Sequence, residues 1–485
     1  MPAVPGPRTP AQVVRTVRAF QRSLPEGLEH LKDEYGEVSA FGLGPTRTYF
    51  LFGPQANALV MRNPDNFRFA GAYDMLRPIA GETALVVTDG APHARRKRKA
   101  LPSFQRPGVE QATRLIVEAV DKAIDGWRPG QRLDIHAELR EAIRGAMLLL
   151  FCGERLAAQA PYMIGQLDQI HELMDNPLPQ QMVAWSLPTR ARRRALDGIA
   201  AVEERIYEEI TRRRRTGEAA TRGGEDLISV MLADGGAVMS DQEIRDMVVS
   251  ALIAGYDPVG SGIGWAVYNS LAHPGVWQRL RAEAEEVLDG APATPVAVRA
   301  LRYTGRVVQE SLRLHPPVVM SPRRCVKAFR YRGHVIPAGS TVAVSEYITH
   351  RLPAVWDAPD AFRPERWDTG QEGYQSPSPF EYLPYGYGAR RCIGAGIAGA
   401  VLPAVLSRLA QRTELDLLTL RPQYGGIPAL IPRGGLHVQV AELPARERAR
   451  GRAGARDTDS GRDTDRGGDR ARHTDRTRDL VEETR

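Results

Sequence analysis

One cysteine in this chain sits where a thiol could become a ligand. Cys392 lies in FEYLPYGYGARRCIGAG, residues 380–396, directly after Arg390 and Arg391 and just before an apparent helix start at Ile393. Positive charge and a helix N-terminus both favour thiolate over thiol. Gly386 and Gly388 let the chain turn tightly, and Gly394 lets a flat group approach the helix. Backbone N–H groups aimed at the sulfur would tune the potential of a bound metal. A buried structural cysteine is the plainer alternative, but it leaves the paired arginines and the glycines unexplained. A second stretch, SALIAGYDPVGSGIGW, places Asp257 and Pro258 in the middle of an apolar, helix-like run. Proline has no N–H, so the carbonyl of Ala254 loses its helical partner. In a helix interior that costs about 3 kcal/mol, and a kink is expected. The freed carbonyl could hold a water. Ser261 is a further donor four residues after Asp257, and Gly255, Gly260, Gly262 and Gly264 would leave room for a bulky ligand.

The elements that must hold these residues read as mainly helical. Amphipathic runs such as VEQATRLIVEAVDKAIDGW, LREAIRGAMLLLFC and LDGIAAVEERIYEEITRRRR precede a long helix expected over 241–272. Residues 176–189, with three prolines, read as a loop. VSAFGLG, TYFLFG and RYRGHVIPAGSTVAVS read as short strands, and a last helix ends near Arg412 with a bend expected at Pro403. The fold class is therefore mainly α with a smaller β-rich part. Residues 1–10 are Pro-rich and flexible, 11–443 form the folded domain, and 444–485 repeat Arg, Asp and Thr with almost no apolar residue, so they remain unordered.

Composition narrows the function. The net charge of +7 is mild, and the tail carries part of it, so no case for nucleic acid arises. Three widely spaced cysteines suit neither a disulfide framework nor a zinc site, and a reducing cytoplasm is expected. No signal peptide or membrane anchor is visible. The expectation is a soluble cytoplasmic protein.

YGYGARRCIG resembles the haem-binding loop of the cytochrome P-450 superfamily, soluble bacterial type, with Tyr385 where phenylalanine is usual. The resemblance runs from about residue 11 to 442 and implies the cytochrome P-450 fold. It implies haem b, iron protoporphyrin IX, with Cys392 as the axial iron ligand. Three further signatures follow in the family's order. ESLR and FRPERW supply Glu310, Arg313 and Arg366, which the resemblance makes a structural triad behind the haem loop. GAPHARRKRK maps His93 and Lys97 onto a propionate-binding pair whose second member is usually arginine. Arg323 and Arg390 match other propionate ligands, with Arg324 an alternative register for the former. Tyr385, Gly386, Gly394, Ala254 and Gly255 complete the implied haem contacts. Phe69, Met75, Met182, Trp185, Val259, Val319 and Ile427 are candidates for the substrate pocket, though each alone reads equally as packing.

By the same resemblance Asp257 would relay protons, while Pro258 stands where a threonine hydroxyl is usual. The implied activity is a monooxygenase inserting one atom of O2 into an apolar organic substrate, by hydroxylation or epoxidation in secondary metabolism. Electrons would come from NAD(P)H through a ferredoxin or flavodoxin and its reductase. Peroxide-consuming relatives also carry proline there, but after an arginine. A peroxide-using or non-oxygenating enzyme is thus the alternative, and a non-catalytic haem sensor stands behind both.

Overall fold

Capping chemistry sets where the central helices begin and end. Asp134 accepts from the backbone of His136 and Ala137 to open helix Ile135–Cys152, and Gly153, at φ 81°, closes it. A reciprocal cap between Ser240 and Glu243 opens the long helix Asp241–Ala272, with Asp241 and Glu243 complementing its dipole. The computed structural model describes residues 3–44, 47–174, 176, 178–217, 226–233, 238–426 and 429–442, without side chains at 178, 179, 182 and 186. Residues Met1–Glu442 form one compact unit. The Arg/Asp/Thr tail and Ile427 lie outside the described residues, as does the side chain of Met182.

The long helix is buried around almost its whole circumference, as its largely apolar sequence from Met247 onward favours. It packs against helices Ile135–Cys152, Arg302–Leu314 and Ala395–Arg412. Helix Asp241–Ala272 runs on through Pro258, and helix Ala395–Arg412 through the buried Pro403, so neither proline breaks its helix.

The glycines of the long helix serve packing, which corrects the expectation that they make room for a ligand. A Cβ on Gly255 would lie 3.3 Å from the Phe151 ring, one on Gly260 3.6 Å from Arg140, and one on Gly264 3.1 Å from His136. All three partners are on helix Ile135–Cys152, so the glycines let the two backbones approach closely. Gly262 faces Leu402 in the same tight way, at 3.2 Å.

A five-stranded sheet orders Val38–Phe41, Thr48–Leu51, Thr341–Val344, Ser321–Cys325 and Phe67–Arg68 from edge to edge. The pairing of Thr48–Leu51 with Thr341–Val344 is parallel and the others are antiparallel. Val4 is buried in the core of this sheet, and the Pro5 carbonyl accepts from Ala40 N–H at 2.8 Å, so the N-terminal segment is packed along it from residue 4. A three-stranded sheet of Arg132–Asp134, His437–Ala441 and Glu414–Leu417 ties the chain's end to the start of helix Ile135–Cys152. One expectation fails locally: residues 176–189 hold helix Leu178–Ser186. Its proline falls in the first turn, where no N–H is needed, and the following residues favour helix. No described helix is long and apolar enough to cross a membrane.

Candidate active site

Cys392 is exposed, whereas Cys152 and Cys325 are buried. Its N–H donates to the Tyr385 carbonyl at 2.9 Å, closing a loop whose two turns use Gly386 at φ 66° and Gly388 at φ 65°. Only glycine takes that left-handed backbone without strain. The helix after the loop begins at Ala395, two residues later than expected. The thiol pKa is nonetheless raised. Burial dominates, although the N–H groups of Gly394 and Ala395 and the charges of Lys97 and Arg391 pull the other way. The lowered pKa anticipated from the arginines therefore does not arise from the protein alone. Metal coordination is what would deprotonate this thiol.

Opposite in character is a gap in the burial of the long helix. Ala254 is exposed at its centre, and Ala251, Gly255 and Pro258 are partly so, while Tyr256, Asp257, Val259 and Gly260 are buried. Ala251, Ala254 and Pro258 form one stripe at helical spacing, free of bulky side chains. Pro258 withholds its N–H from the Ala254 carbonyl on the same stripe.

A cationic cluster adjoins the loop. Arg323 is buried on the inward face of its strand, whereas Arg324 is on the other face. The guanidinium of Arg323 lies 3.7 Å from the centroid of Phe69 and that of Arg390 lies 4.2 Å from it, so the ring sits between two cations. Arg390 pairs with Asp89 and donates to the Leu85 carbonyl at 2.9 Å. Burial, then Arg390 and Lys97, lower His93 to about 4. Lys97 donates to the carbonyls of Ala389 and Arg391 at 2.9 and 2.8 Å, bracing the cysteine loop from helix Gly90–Ala100.

These residues fit a haem. An exposed thiol on a tightly turned loop suits its iron, and a stripe of small side chains suits one face of a flat macrocycle. Arg323, Arg390 and Lys97 outnumber the carboxylates that answer them, Asp89 at Arg390 and the buried Glu346 toward Arg323, an excess of positive charge suited to two propionates. Loading the group would require Arg390 to share itself between Asp89 and a propionate.

Glu310, Arg313 and Arg366 come together behind the loop. Both oxygens of Glu310 accept from Arg313 at 2.9 Å, one also accepts from Arg366 at 2.9 Å, and the other takes Trp367 Nε1 at 2.8 Å. Glu310 and Arg313 are completely buried. Burial alone would raise the Glu310 pKa, but Arg313, Arg366 and the Arg363 N–H hold it below the usual range. Arg313 also donates to the carbonyls of His350, Pro359 and Ala361, fastening the meander to the helix.

Asp257 is buried and faces two basic side chains that could not be identified from sequence. Its Oδ1 accepts from Arg140 Nε at 2.8 Å, and its Oδ2 lies 2.7 Å from His171 Nε2. Burial opposes its charge, but His171, Arg140 and Arg144 hold its pKa below the ordinary carboxylate value. Ser261, expected as a free donor, gives its hydroxyl to the Leu430 carbonyl at 2.5 Å, which also takes Trp265 Nε1 at 2.7 Å. Among the pocket candidates, Val259 and Val319 are packed in the cores and Phe69 is held by the arginines. Met75 is exposed, and Trp185 is half-buried against the main core.

Comparison with known proteins agrees with this geometry. The cytochrome P450 family profile matches residues 5–423. The chain is 35% identical over 411 residues to cytochrome P450 139 of Mycobacterium tuberculosis, covering 84% of this chain and 95% of that protein. It is 30% identical over 392 residues to a cyclooctat-9-en-7-ol 5-monooxygenase of Streptomyces melanosporofaciens, covering 79% of this chain and 83% of that one. The fold superposes on the cytochrome P450DA heme domain with a TM-score of 0.80 at 22% identity, over 92% of this chain and 99% of that one. Retinoic acid-bound cyanobacterial CYP120A1 gives 0.78 at 22% identity, over 88% and 96%. Sequence and fold thus reach the same conclusion as the cysteine loop: the chain belongs to the cytochrome P450 family and is a haem-thiolate monooxygenase.

Proposed function

We propose that the enzyme is driven by O2 and by electrons from NAD(P)H, delivered by a ferredoxin or flavodoxin with its reductase, and that it works in the cytoplasm. One observation carries this reading: Asp257 is buried, ionised and held between Arg140 and His171, at the edge of the open stripe of the long helix. A buried carboxylate in hydrogen-bond reach of a histidine can take and give protons there, and reduction of O2 consumes protons at every turnover. The haem, when bound, supplies oxygen activation. Cys392 would hold the iron, and Arg323, Arg390 and His93 the propionate edge. The unpartnered carbonyl of Ala254 would hold a water in place of the missing threonine hydroxyl. The substrate class is a lipophilic natural product, hydroxylated or epoxidised, in line with the unsaturated alcohol in the name of the Streptomyces relative.

Pro258 favours a second reading, in which peroxide is the oxidant. Ser261 does not supply a replacement for the threonine hydroxyl, since it is committed to the Leu430 carbonyl. Two parallel reactions on an apolar metabolite extract separate the readings. One contains isotopically labelled O2, ferredoxin, reductase and NADPH; the other contains unlabelled hydrogen peroxide and no electron donor. Label in a product of the first reaction supports the O2-driven monooxygenase. Product in the peroxide reaction alone contradicts it.

A further inference from the structure

His171 joins Asp257 to the surface. It projects from helix Ala160–Met174 and is buried, yet its two ring nitrogens face different acids. Nε2 is 2.7 Å from Asp257 Oδ2, and Nδ1 is 3.9 Å from Asp168 Oδ1. Asp168 is half-exposed, with 47% of its side chain open, and it is held at 2.6 Å by Arg144 Nη2. The Tyr256 hydroxyl spans both ring nitrogens, 2.7 Å from Nε2 and 3.3 Å from Nδ1. A histidine serving only as a buried counter-ion needs one nitrogen on its acid. Here the second nitrogen is turned toward a carboxylate that reaches water.

We propose that Asp168, His171 and Asp257 form a proton relay from solvent to the long helix, with His171 acting through Asp257. The proposal rests on the O2-driven reading, in which each turnover consumes protons. Asp168 takes a proton from water and passes it to Nδ1, across a gap that one turn of the exposed carboxylate or one bridging water closes. A different proton leaves Nε2 for Asp257 Oδ2, so the imidazole begins and ends neutral with its tautomer exchanged. The Tyr256 hydroxyl, within reach of both ring nitrogens, restores the starting tautomer by accepting the Nδ1 proton as it gives its own to Nε2. Arg140 anchors the other oxygen of Asp257 at 2.8 Å, so the carboxylate keeps its place while Oδ2 gains and loses the proton.

The charged and titratable groups facing His171 come from three helices. Helix Ile135–Cys152 contributes Arg140, Arg144, the exposed Glu141 and, toward Asp257, the buried His136. Asp168 lies on the same helix as His171, and Tyr256 and Asp257 lie on the long helix. The two arginines make the relay a guarded one. Both hold the Asp257 pKa below the ordinary carboxylate value, so protons cross when the imidazole carries them.

Two variants of the haem-loaded enzyme test the relay. His171→Gln keeps a hydrogen bond to Asp257 but cannot exchange protons, and Asp168→Asn alters only the half-exposed end. The rate read is oxygen consumption with NADPH, a plant-type ferredoxin and its reductase, without added substrate, in water and in deuterium oxide. His171→Gln should raise the solvent isotope effect and slow consumption by about 10-fold, less than the roughly 100-fold or more that loss of a general acid itself costs, because His171 acts through Asp257. Asp168→Asn should move both quantities the same way by less, at unchanged Tm. A readout independent of turnover is the ¹⁵N spectrum of histidine-labelled protein in the ferrous carbon monoxide state. There Asp168→Asn should change the tautomer balance of the His171 ring, identified by its loss in His171→Gln. Wild-type rates and isotope effects in both variants, with the His171 resonances unmoved by Asp168→Asn, overturn the relay alone. A wild type that consumes no oxygen with this donor overturns the O2-driven reading, and the relay with it.

Discussion

Pro258 removes a hydroxyl and an N–H at the point on the long helix where the open stripe lies. Pro258→Thr restores both. It should raise stability, since an interior proline costs a helix up to about 3 kcal/mol, and it should raise the share of NADPH electrons recovered in product. Comparing NADPH oxidised with product formed checks this; unchanged coupling, with product forming equally well from peroxide, would favour the peroxide reading. Glu346 offers a second residue-scale test. Burial, opposed by Ser321 and Arg323, pushes its pKa up from 4.5 to about 7, and one of its oxygens has no partner. A folded pKa above the unfolded one means stability that is full below about 4.5 and lost as pH rises through about 7. Glu346→Gln should therefore abolish that alkaline loss, measured as urea unfolding free energy at a mildly acidic and a mildly alkaline pH. Neither Glu346 nor the partners of Asp257 could be read from the sequence. Cys392 announced itself because its loop is a local pattern. Arg140, by contrast, is 117 positions from Asp257 and meets it only through helix packing.

At the scale of elements, the buried triad and the glycine face make separate claims. Glu310→Gln leaves Arg313 and Arg366 facing a neutral group. Breaking a buried pair in this way costs about 3–5 kcal/mol. The variant should unfold at lower denaturant and lose haem before it unfolds, because Arg313 fastens the meander to helix Arg302–Leu314. Gly264→Val tests the approach of the long helix to helix Ile135–Cys152. A Cβ there already meets His136 at 3.1 Å, so overpacking should cost about 1–3 kcal/mol. The helices themselves were legible from apolar periodicity and caps. The purpose of the glycines was not, because sequence shows that a helix is smooth on one face without showing what lies against it. Helix Leu178–Ser186 was missed for a related reason: clustered prolines suggest a loop unless one of them falls in a first turn.

Over the whole molecule, buried neutral histidines should shape the acid limb of stability. Burial lowers His136 to about 4 and His350 to about 3. Both folded values lie below the ordinary 6.5, so the unfolded chain binds more protons as pH falls. Stability is present above about 6.5 and declines below it, by about 1.4 kcal/mol per pH unit for each such group. His136→Gln should reduce that slope by one proton, measured by unfolding across the acid range. The main fold class and the haem loop were accessible from the chain alone, since each follows from local order along it. What joins helices Ile135–Cys152, Ala160–Met174 and Asp241–Ala272 into one acid–base site exists only in the folded protein. That site is also where the account is most exposed to test. The direct measurement is Asp257→Asn in the haem-loaded enzyme, with product from NADPH and O2 and product from peroxide determined side by side. The account predicts that NADPH-driven product falls by about 10-fold or more while peroxide-driven product persists. An undiminished NADPH-driven yield would contradict it.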